Sequence, residues 1–503
     1  MDIPARSVLA NPGPDDLRAL AEAQPTSHLT EFGNLDVITE VTARSKLSTF
    51  IVTDDPSRHT DATITRDAYR ELTERQEEHL ADTDVVVVDG YIGDHPDARI
   101  RTRLIIEKEF ANIAAKQRLL YFPADDDVEP ELQVIYTPSL EAQGYPDDRV
   151  IAVDLDAGIT RVLNADYFGE SKMGGLRMWD AAMYRRGGLA LHSGLKVLDD
   201  GNRRQVGLVV GLSGTGKTTT TFSQTGGGSP VQDDFVALFP GGKVYGTENG
   251  TFAKVYGLTP ESEPAVWHGA TRPGSYLENV AIDAEGRVDF HDKSHTENSR
   301  AVIVADDIPG FLAPVNVDTA DFMLLLNRNN SIMPAVARLT PDQAAAYFML
   351  GETQGTSAGG KAEAGKFLRV PGTNPFFAYR HEWQANRLRE ILDTCDLAVF
   401  VLNTGRVGGI DGGSVKITPD MSSTIVAAIA AGTIDWERDP DFGYEVASAV
   451  PGIDDPQALR PRLLYENQGR TTEYEGLVES LHADRRAHMA KYPDLRPEIA
   501  DQV

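Results

Sequence analysis

Apolar residues fall along this chain in short runs separated by polar and glycine-rich turns. Several of these runs read as buried strands. Val85 to Val88, Leu132 to Tyr136, Val150 to Val153, Val206 to Val210, Phe322 to Leu326 and Leu397 to Asn403 are of this kind. Thr42 to Val52 ends in a further apolar stretch that reads as a strand, after Arg44, Ser45 and Lys46. Residues 1 to about 35 read as helix and loop. Over residues 100 to 119 the spacing of Ile105, Ile106 and Phe110 predicts a helix. Between about 240 and 300 the segments Lys243 to Tyr245, Thr251 to Tyr256, Leu277 to Ile282 and Arg287 to Phe290 read as short, mostly antiparallel strands. Thr340-Pro341-Asp342-Gln343 opens a helix, with Thr as N-cap and Pro at the first position. From about residue 422 the pattern is mainly helical. Strands alternate with helices and no internal repeat is visible, so the fold class is α/β.

The chain has 503 residues, too many for one ordinary core. We expect a substrate-side α/β domain over residues 1–187 and a nucleotide- and metal-binding domain over 188–503. The site then lies between them and closes on binding. No run is long and apolar enough to span a membrane, and the N-terminus shows no signal peptide. Cys395 is the single cysteine, which excludes an intramolecular disulfide and a cysteine-based zinc cage. A reducing, cytoplasmic setting is expected.

Charge narrows the partners. Acidic residues number 76 against 48 basic, a formal net charge of −28. The excess is spread along the chain, with only short clusters such as Asp125-Asp126-Asp127. Such a surface repels nucleic acid and anionic membranes, and neither is an expected partner. It also repels anionic substrates at long range, so a site that takes them must be locally basic, or salt must screen the rest.

The chemistry centres on Gly211 to Thr219, GLSGTGKTT, directly after the strand Val206 to Val210. Gly211, Gly216, Lys217 and Thr218 complete the pattern G-x-x-x-x-G-K-[ST], a P-loop. Backbone N–H groups from Ser213, Gly214, Thr215 and Gly216 are expected to cradle phosphate oxygens. Lys217 is expected on the β and γ oxygens, and the Thr218 hydroxyl on Mg²⁺; Thr219 belongs to the same nucleotide-binding set. Asp233-Asp234 follows the P-loop helix and supplies a hard oxygen ligand for Mg²⁺ or Mn²⁺. Upstream, residues 166 to 194 concentrate Lys172, Arg177, Arg185 and Arg186, and lead to His192. The Gly/Ala/Ser-rich stretch 350 to 366 reads either as a lid or as a plain linker.

Taken in order, TARSKLSTFIV, DYFGESKMGG, LALHSG, GLSGTGKTTT, VQDDF, NGTFAKVYGLTPESEP, YLENV, SHTENSR, ARLTPDQ and LNTGRVGG resemble the motif series of the ATP-dependent phosphoenolpyruvate carboxykinases, over roughly residues 40 to 430. The resemblance implies that family's two-domain fold with a P-loop mononucleotide-binding domain. It implies the reaction oxaloacetate plus ATP to phosphoenolpyruvate, ADP and CO₂, used in gluconeogenesis, with Mg²⁺ on ATP and Mn²⁺ at the substrate. By resemblance, Arg44 grips the substrate carboxylate and Arg338 contacts substrate or the γ-phosphate. Tyr167 lies near the carboxyl group that leaves as CO₂, and Lys172 stands beside the metal. His192 and Asp234 ligate Mn²⁺, and Lys254 makes a phosphate-side or substrate contact. Glu263 is a candidate for the ribose, and Lys416 and Ser422 for the adenine side.

Two departures stand out. Where the family has two adjacent lysines, the second a metal ligand, this chain has Lys172-Met173, and a neutral thioether suits Mn²⁺ poorly. Lys172 or water then substitutes, or the metal site is weaker. Leu326 to Ser331, LNRNNS, replaces a loop that usually contains Thr-Ala-Asp. Two other readings stay open: a P-loop kinase acting on another small molecule or a protein, and a nucleotide sensor without turnover. As an enzyme of the family the chain needs only small-molecule partners and works as a monomer or small homo-oligomer.

Overall fold

The computed structural model describes residues 4–124, 126–212, 214–355, 366–409 and 413–503. Two large sheets carry it. The first is eight-stranded and built from residues before 164, in the order Ser7–Ala10, Asp84–Ile92, Ile100–Glu107, Leu132–Thr137, Ile159–Leu163, Val150–Asp154, Thr49–Val52, Thr63–Ile64. The run Val85 to Val88 is buried on both faces because both are covered. Val86 and Val88 pack with Ile113 and Leu176 from the helices Ala111–Leu120 and Phe168–Arg185. Val85 and Val87 pack with Leu80 at the end of the helix Arg66–Ala81.

The second sheet has eleven strands from residues 189 to 449. At its centre Arg204–Val210, Phe322–Asn327 and Ala398–Asn403 run parallel, in that order. The connections leaving their carboxyl ends gather at one place: the P-loop after Val210, Arg328 after Asn327 and Thr404 after Asn403. Arg328 Nη1 donates to the Gly214 carbonyl at 2.8 Å, and Thr404 Oγ1 to the Thr215 carbonyl at 2.8 Å. The carboxyl ends of parallel strands are the usual place for a ligand in an α/β sheet. A smaller five-stranded sheet takes Ser27–Leu29 and Leu35–Val37 from the start of the chain. Its other strands are Tyr276–Glu278, Arg300–Val304 and Gly250–Lys254, so it ties the two sides of residue 187 together.

Three segments differ from the sequence pattern. Residues 100 to 107 are a strand, not the start of a helix; the helix begins only at Ala111. Ile100, Thr102, Leu104 and Ile106 share one face at period two, and the strand pairs along its whole length with Asp84–Ile92. Ser7–Ala10, in the stretch read as helix and loop, adds a parallel edge strand. Asp435–Arg438 and Glu445–Ala449 interrupt the helical C-terminal part and extend the second sheet through Val336–Leu339. The expected cap at Thr340 is a full capping box with Gln343. Residues 350 to 366 are flanked by a hairpin, Glu352–Gln354 with Phe367–Arg369; residues 356–365, on which the choice between lid and linker falls, lie outside the described residues. No helix among the described residues is long and apolar enough to cross a membrane.

Candidate functional site

The P-loop turns on its glycines. Gly214 and Gly216 have φ of +82° and +97°, a region that side chains disfavour. A Cβ on Gly211 would stand 2.8 Å from Thr215 Oγ1 and 3.0 Å from Leu326 Cβ, so the loop can leave its strand only there. The helix Lys217–Phe222 follows at once, with Gly216 as its N-cap. Ser213 lies outside the described residues.

Lys217 Nζ donates to Asp234 Oδ1 at 2.6 Å, and the Lys172 ammonium pairs with Asp234 Oδ2. His192 Nε2 stands 3.0 Å from the same Oδ1. Lys172 also reaches Glu248 Oε1 at 3.0 Å, and both side chains are fully buried. These groups set one another's charge. Burial alone would raise the Asp234 carboxyl, but Lys172 and Lys217 hold it well below the usual carboxylate range. Burial alone would lower the Lys172 amine, yet Asp234 and Glu248 hold it above its ordinary value, so it remains an ammonium. Glu248 is pushed up to about 7 by burial, against the pull of Lys172. His192 is pushed down to about 4 by burial and by the charge of Lys217, which leaves its ring neutral.

A neutral ring has one N–H, yet both nitrogens face acceptors: Nδ1 lies 3.2 Å from the Thr373 carbonyl oxygen, Nε2 3.0 Å from Asp234. Asp233, beside this cluster, accepts from Thr251 Oγ1 at 2.7 Å and lies 3.5 Å from Thr218 Oγ1. Among the described residues, no group of three or more His, Cys, Asp and Glu side chains is assembled to hold a metal ion.

The cluster opens into a cavity of about 560 Å³. At one end it is lined by Leu212, Gly214, Gly216, Thr219, Glu263 and Asp420. Glu263 Oε1 accepts from Thr219 Oγ1 at 2.6 Å, and burial raises its carboxyl. At the other end stand Arg44, Tyr167, Met173, Lys254, Arg300 and Phe376. This end answers the charge problem posed by the acidic chain: Arg44, Lys254 and Arg300 make it locally basic. Burial, then the charge of Arg300, lowers Lys254 to about 8. Arg44 sits over the Phe376 ring at 5.8 Å, and Tyr167 Oη accepts from Asn298 Nδ2 at 3.3 Å.

The structure therefore brings Arg44, Tyr167, Lys172, His192, Lys217, Thr218, Asp234, Lys254 and Glu263 together. It does not bring in Arg338, which pairs with Glu445 at 3.5 Å and is half exposed. Lys416 is exposed on the short strand Val415–Lys416; Ser422 is buried in the helix Pro419–Ala431, whose Pro419 and Asp420 reach the cavity instead. Glu248, Arg300, Phe376 and Asp420 were not singled out by sequence. Arg300 closes the segment SHTENSR and carried a usable signal; Glu248 sits in a turn-rich stretch, TENG, with no diagnostic spacing.

A P-loop at the carboxyl ends of parallel strands, opening onto a basic pocket through a carboxylate, histidine and lysine cluster, defines a nucleotide-dependent enzyme of the P-loop class. Comparison with known proteins specifies it. A family model described as phosphoenolpyruvate carboxykinase matches residues 6–456. A phosphoenolpyruvate carboxykinase (ATP) of Aeropyrum pernix is 34% identical over 423 residues, 81% of each chain. One from Alkaliphilus oremlandii is 28% identical over 479 residues, 91% of this chain and 89% of the relative. One from Caldanaerobacter subterraneus is 28% identical over 493 residues, 94% and 92% respectively. The chain belongs to the ATP-dependent phosphoenolpyruvate carboxykinase family.

Proposed function

We propose that the protein decarboxylates oxaloacetate and phosphorylates the resulting enolate with ATP, giving phosphoenolpyruvate, ADP and CO₂. The observation that carries this reading is the meeting of Lys217 of the P-loop with Lys172 and His192 on Asp234, in a cavity whose far end is basic. The P-loop end takes the triphosphate, with Glu263 facing the ribose and the Pro419–Asp420 corner the base. Arg44 and Arg300 take the carboxylates of the keto acid, and Tyr167 borders the carboxyl group that leaves. Lys172 and Lys217 stand where negative charge moves from the enolate oxygen to the phosphoryl group, a step that needs alignment and charge neutralisation above all.

Divalent cations fit the cluster. With the ring N–H on Nδ1 toward the Thr373 carbonyl, His192 Nε2 and the Asp234 carboxylate would hold the cation, and an imidazole with a carboxylate would suit Mn²⁺. A cation held there would supply Lewis-acid stabilisation of the enolate oxyanion, and Thr218 would hold the Mg²⁺ that accompanies ATP. Lys172 is an ammonium without a lone pair, so it serves as a charge partner of Asp234, and the position faced by Met173 is left to water. Arg338, on present geometry, belongs to the site only if its pairing with Glu445 is exchanged for a phosphate contact.

Residues 1–187 and 188–503 serve as the substrate-side and nucleotide-side units of this enzyme. A single half-buried cysteine and the acidic surface favour a reducing cytoplasmic setting. Initial rates of phosphoenolpyruvate formation with ATP and oxaloacetate test the reading. The wild type is expected to turn over and Asp234→Asn to lose nearly all activity; an Asp234→Asn enzyme as fast as wild type overturns it.

A further inference from the structure

The orientation of His192 depends on a loop distant in sequence. That loop is Pro371–Phe376, which runs past the imidazole on two sides. The Thr373 carbonyl faces Nδ1 at 3.2 Å. The Phe376 ring stands edge-on to the imidazole, 6.0 Å between centroids and 87° between planes. The loop takes an unfavourable path to do this: Thr373 has φ of +46°, and a Cβ on Gly372 would lie 2.1 Å from Gln384 Oε1. A left-handed threonine is strained and persists only where its surroundings hold it.

Asn374 ties this loop to the elements beside it. Its Oδ1 accepts from the Phe376 N–H at 3.0 Å, which fixes the edge-on ring. Its Nδ2 donates to Asp180 Oδ2 at 3.0 Å and to the Ala190 carbonyl at 3.4 Å. Ala190 lies two residues before His192 on the strand Leu189–Asp199, so one side chain spans the loop and the strand that carries the imidazole. Asp180 lies on the helix Phe168–Arg185, which also carries Lys172 and Met173; it is wholly buried and Asn374 is its side-chain partner. Its other oxygen, Oδ1, has no hydrogen-bond partner among the described residues. A buried acid with so little to pair with has no evident role in stability.

We propose that Asn374, anchored by Asp180, is a positioning residue for a divalent cation at His192: it holds the Thr373 carbonyl on Nδ1 and so presents Nε2 to the cation. Neither residue touches the cation or the substrate. The general logic is that of a ligand histidine whose second nitrogen is tied to a carbonyl, where loss of the tie typically costs 10–100-fold in metal affinity. This inference rests on the cation site proposed above.

The test is a Mn²⁺ titration of the full-length protein, read by the electron paramagnetic resonance of free Mn²⁺, without nucleotide or substrate. ATP affinity and melting temperature are measured on the same samples. Asn374→Asp removes the amide donor to Asp180 Oδ2 and to the Ala190 carbonyl and is expected to weaken Mn²⁺ binding at least tenfold. The double variant Asp180→Asn with Asn374→Asp restores the 374–180 pair with donor and acceptor exchanged, losing only the longer 3.4 Å bond to the Ala190 carbonyl, and is expected to recover affinity to within about threefold of wild type. ATP affinity is expected to stay at the wild-type value in both, because the P-loop is untouched. If Asn374→Asp binds Mn²⁺ as wild type does, or if the double variant is no better than the single, the positioning role is wrong. If Asn374→Asp does not fold, the double variant decides alone: folded with wild-type Mn²⁺ affinity supports the pair, folded with weak Mn²⁺ binding overturns it, and failure of both to fold makes the pair structural and overturns it. A wild type that binds no Mn²⁺ would instead remove the cation site itself.

Discussion

At Asp234, burial works against a charged carboxylate, and the anion survives because Lys172 and Lys217 outweigh burial. Removing either ammonium therefore removes a support of the anion, and removing Lys217 also removes the phosphate contact proposed for it. Lys217→Ala is expected to lower turnover by a factor corresponding to about 3 kcal/mol of transition-state stabilisation, measured as kcat/KM for ATP. Met173 makes the opposite prediction. Its side chain lines the cavity while the neighbouring Lys172 turns to Asp234 and Glu248. A lysine at 173 would enter the same cavity that His192 and Asp234 line. Met173→Lys is accordingly expected to lower the Mn²⁺ concentration needed for half-maximal phosphoenolpyruvate formation, with ATP affinity unchanged. Equal Mn²⁺ dependence in the two proteins would mean that residue 173 does not serve the cation.

At the scale of elements, the C-terminal helix Thr471–Met489 anchors the hairpin beside the cavity. Arg485, wholly buried, donates to Glu352 at 2.9 and 2.7 Å, and Arg369 joins the same carboxylate at 2.9 Å. Arg485→Met leaves part of a buried carboxylate uncompensated and is expected to cost on the order of 3 kcal/mol, seen as a lower unfolding midpoint. His488 on the same helix gives a pH signature. Burial, with Arg369 and Lys491, pushes it down to about 4 from an ordinary value of 6.5. Between these values the unfolded chain binds more protons, so this contribution is complete above pH 6.5 and lost as pH falls to about 4. His488→Gln should flatten the dependence of melting temperature on pH in that window and leave it unchanged above. Elements were legible in the sequence where one signal dominated. The valine run at 85 to 88, the P-loop and the Thr340 cap appear as read. Residues 100 to 107 misled because Ile105 and Ile106 also fit a helical face, and only the long antiparallel partner decides for a strand. Lys172, His192, Lys217 and Asp234, each in a motif read from the sequence, meet in one cluster, whereas Arg338 of ARLTPDQ lies outside it and Arg300 of SHTENSR was not singled out. Asn374, Glu248 and Phe376 escaped because their roles arise from contacts across tens to hundreds of residues, as in the pairing of Asn374 with Asp180.

The whole molecule carries a net charge of −28 and still gathers basic groups at one cavity. Repulsion among the surface carboxylates is screened within about 10 Å at 0.1 M salt, so melting temperature is expected to rise with sodium chloride before levelling off. A flat salt response would show that local ion pairs already balance the surface. The cavity joins a nucleotide end to a basic end through one carboxylate, and the central claim is that both ends serve a single coupled reaction. The most direct test incubates the protein with ATP, ¹³C-labelled oxaloacetate, Mg²⁺ and Mn²⁺, and follows ³¹P and ¹³C spectra together. The account predicts phosphoenolpyruvate, ADP and CO₂ in equal amounts, with their formation slowed by about two orders of magnitude in Lys217→Ala. ATP consumed into a different phosphorylated product, or ATP bound with no turnover, would contradict it.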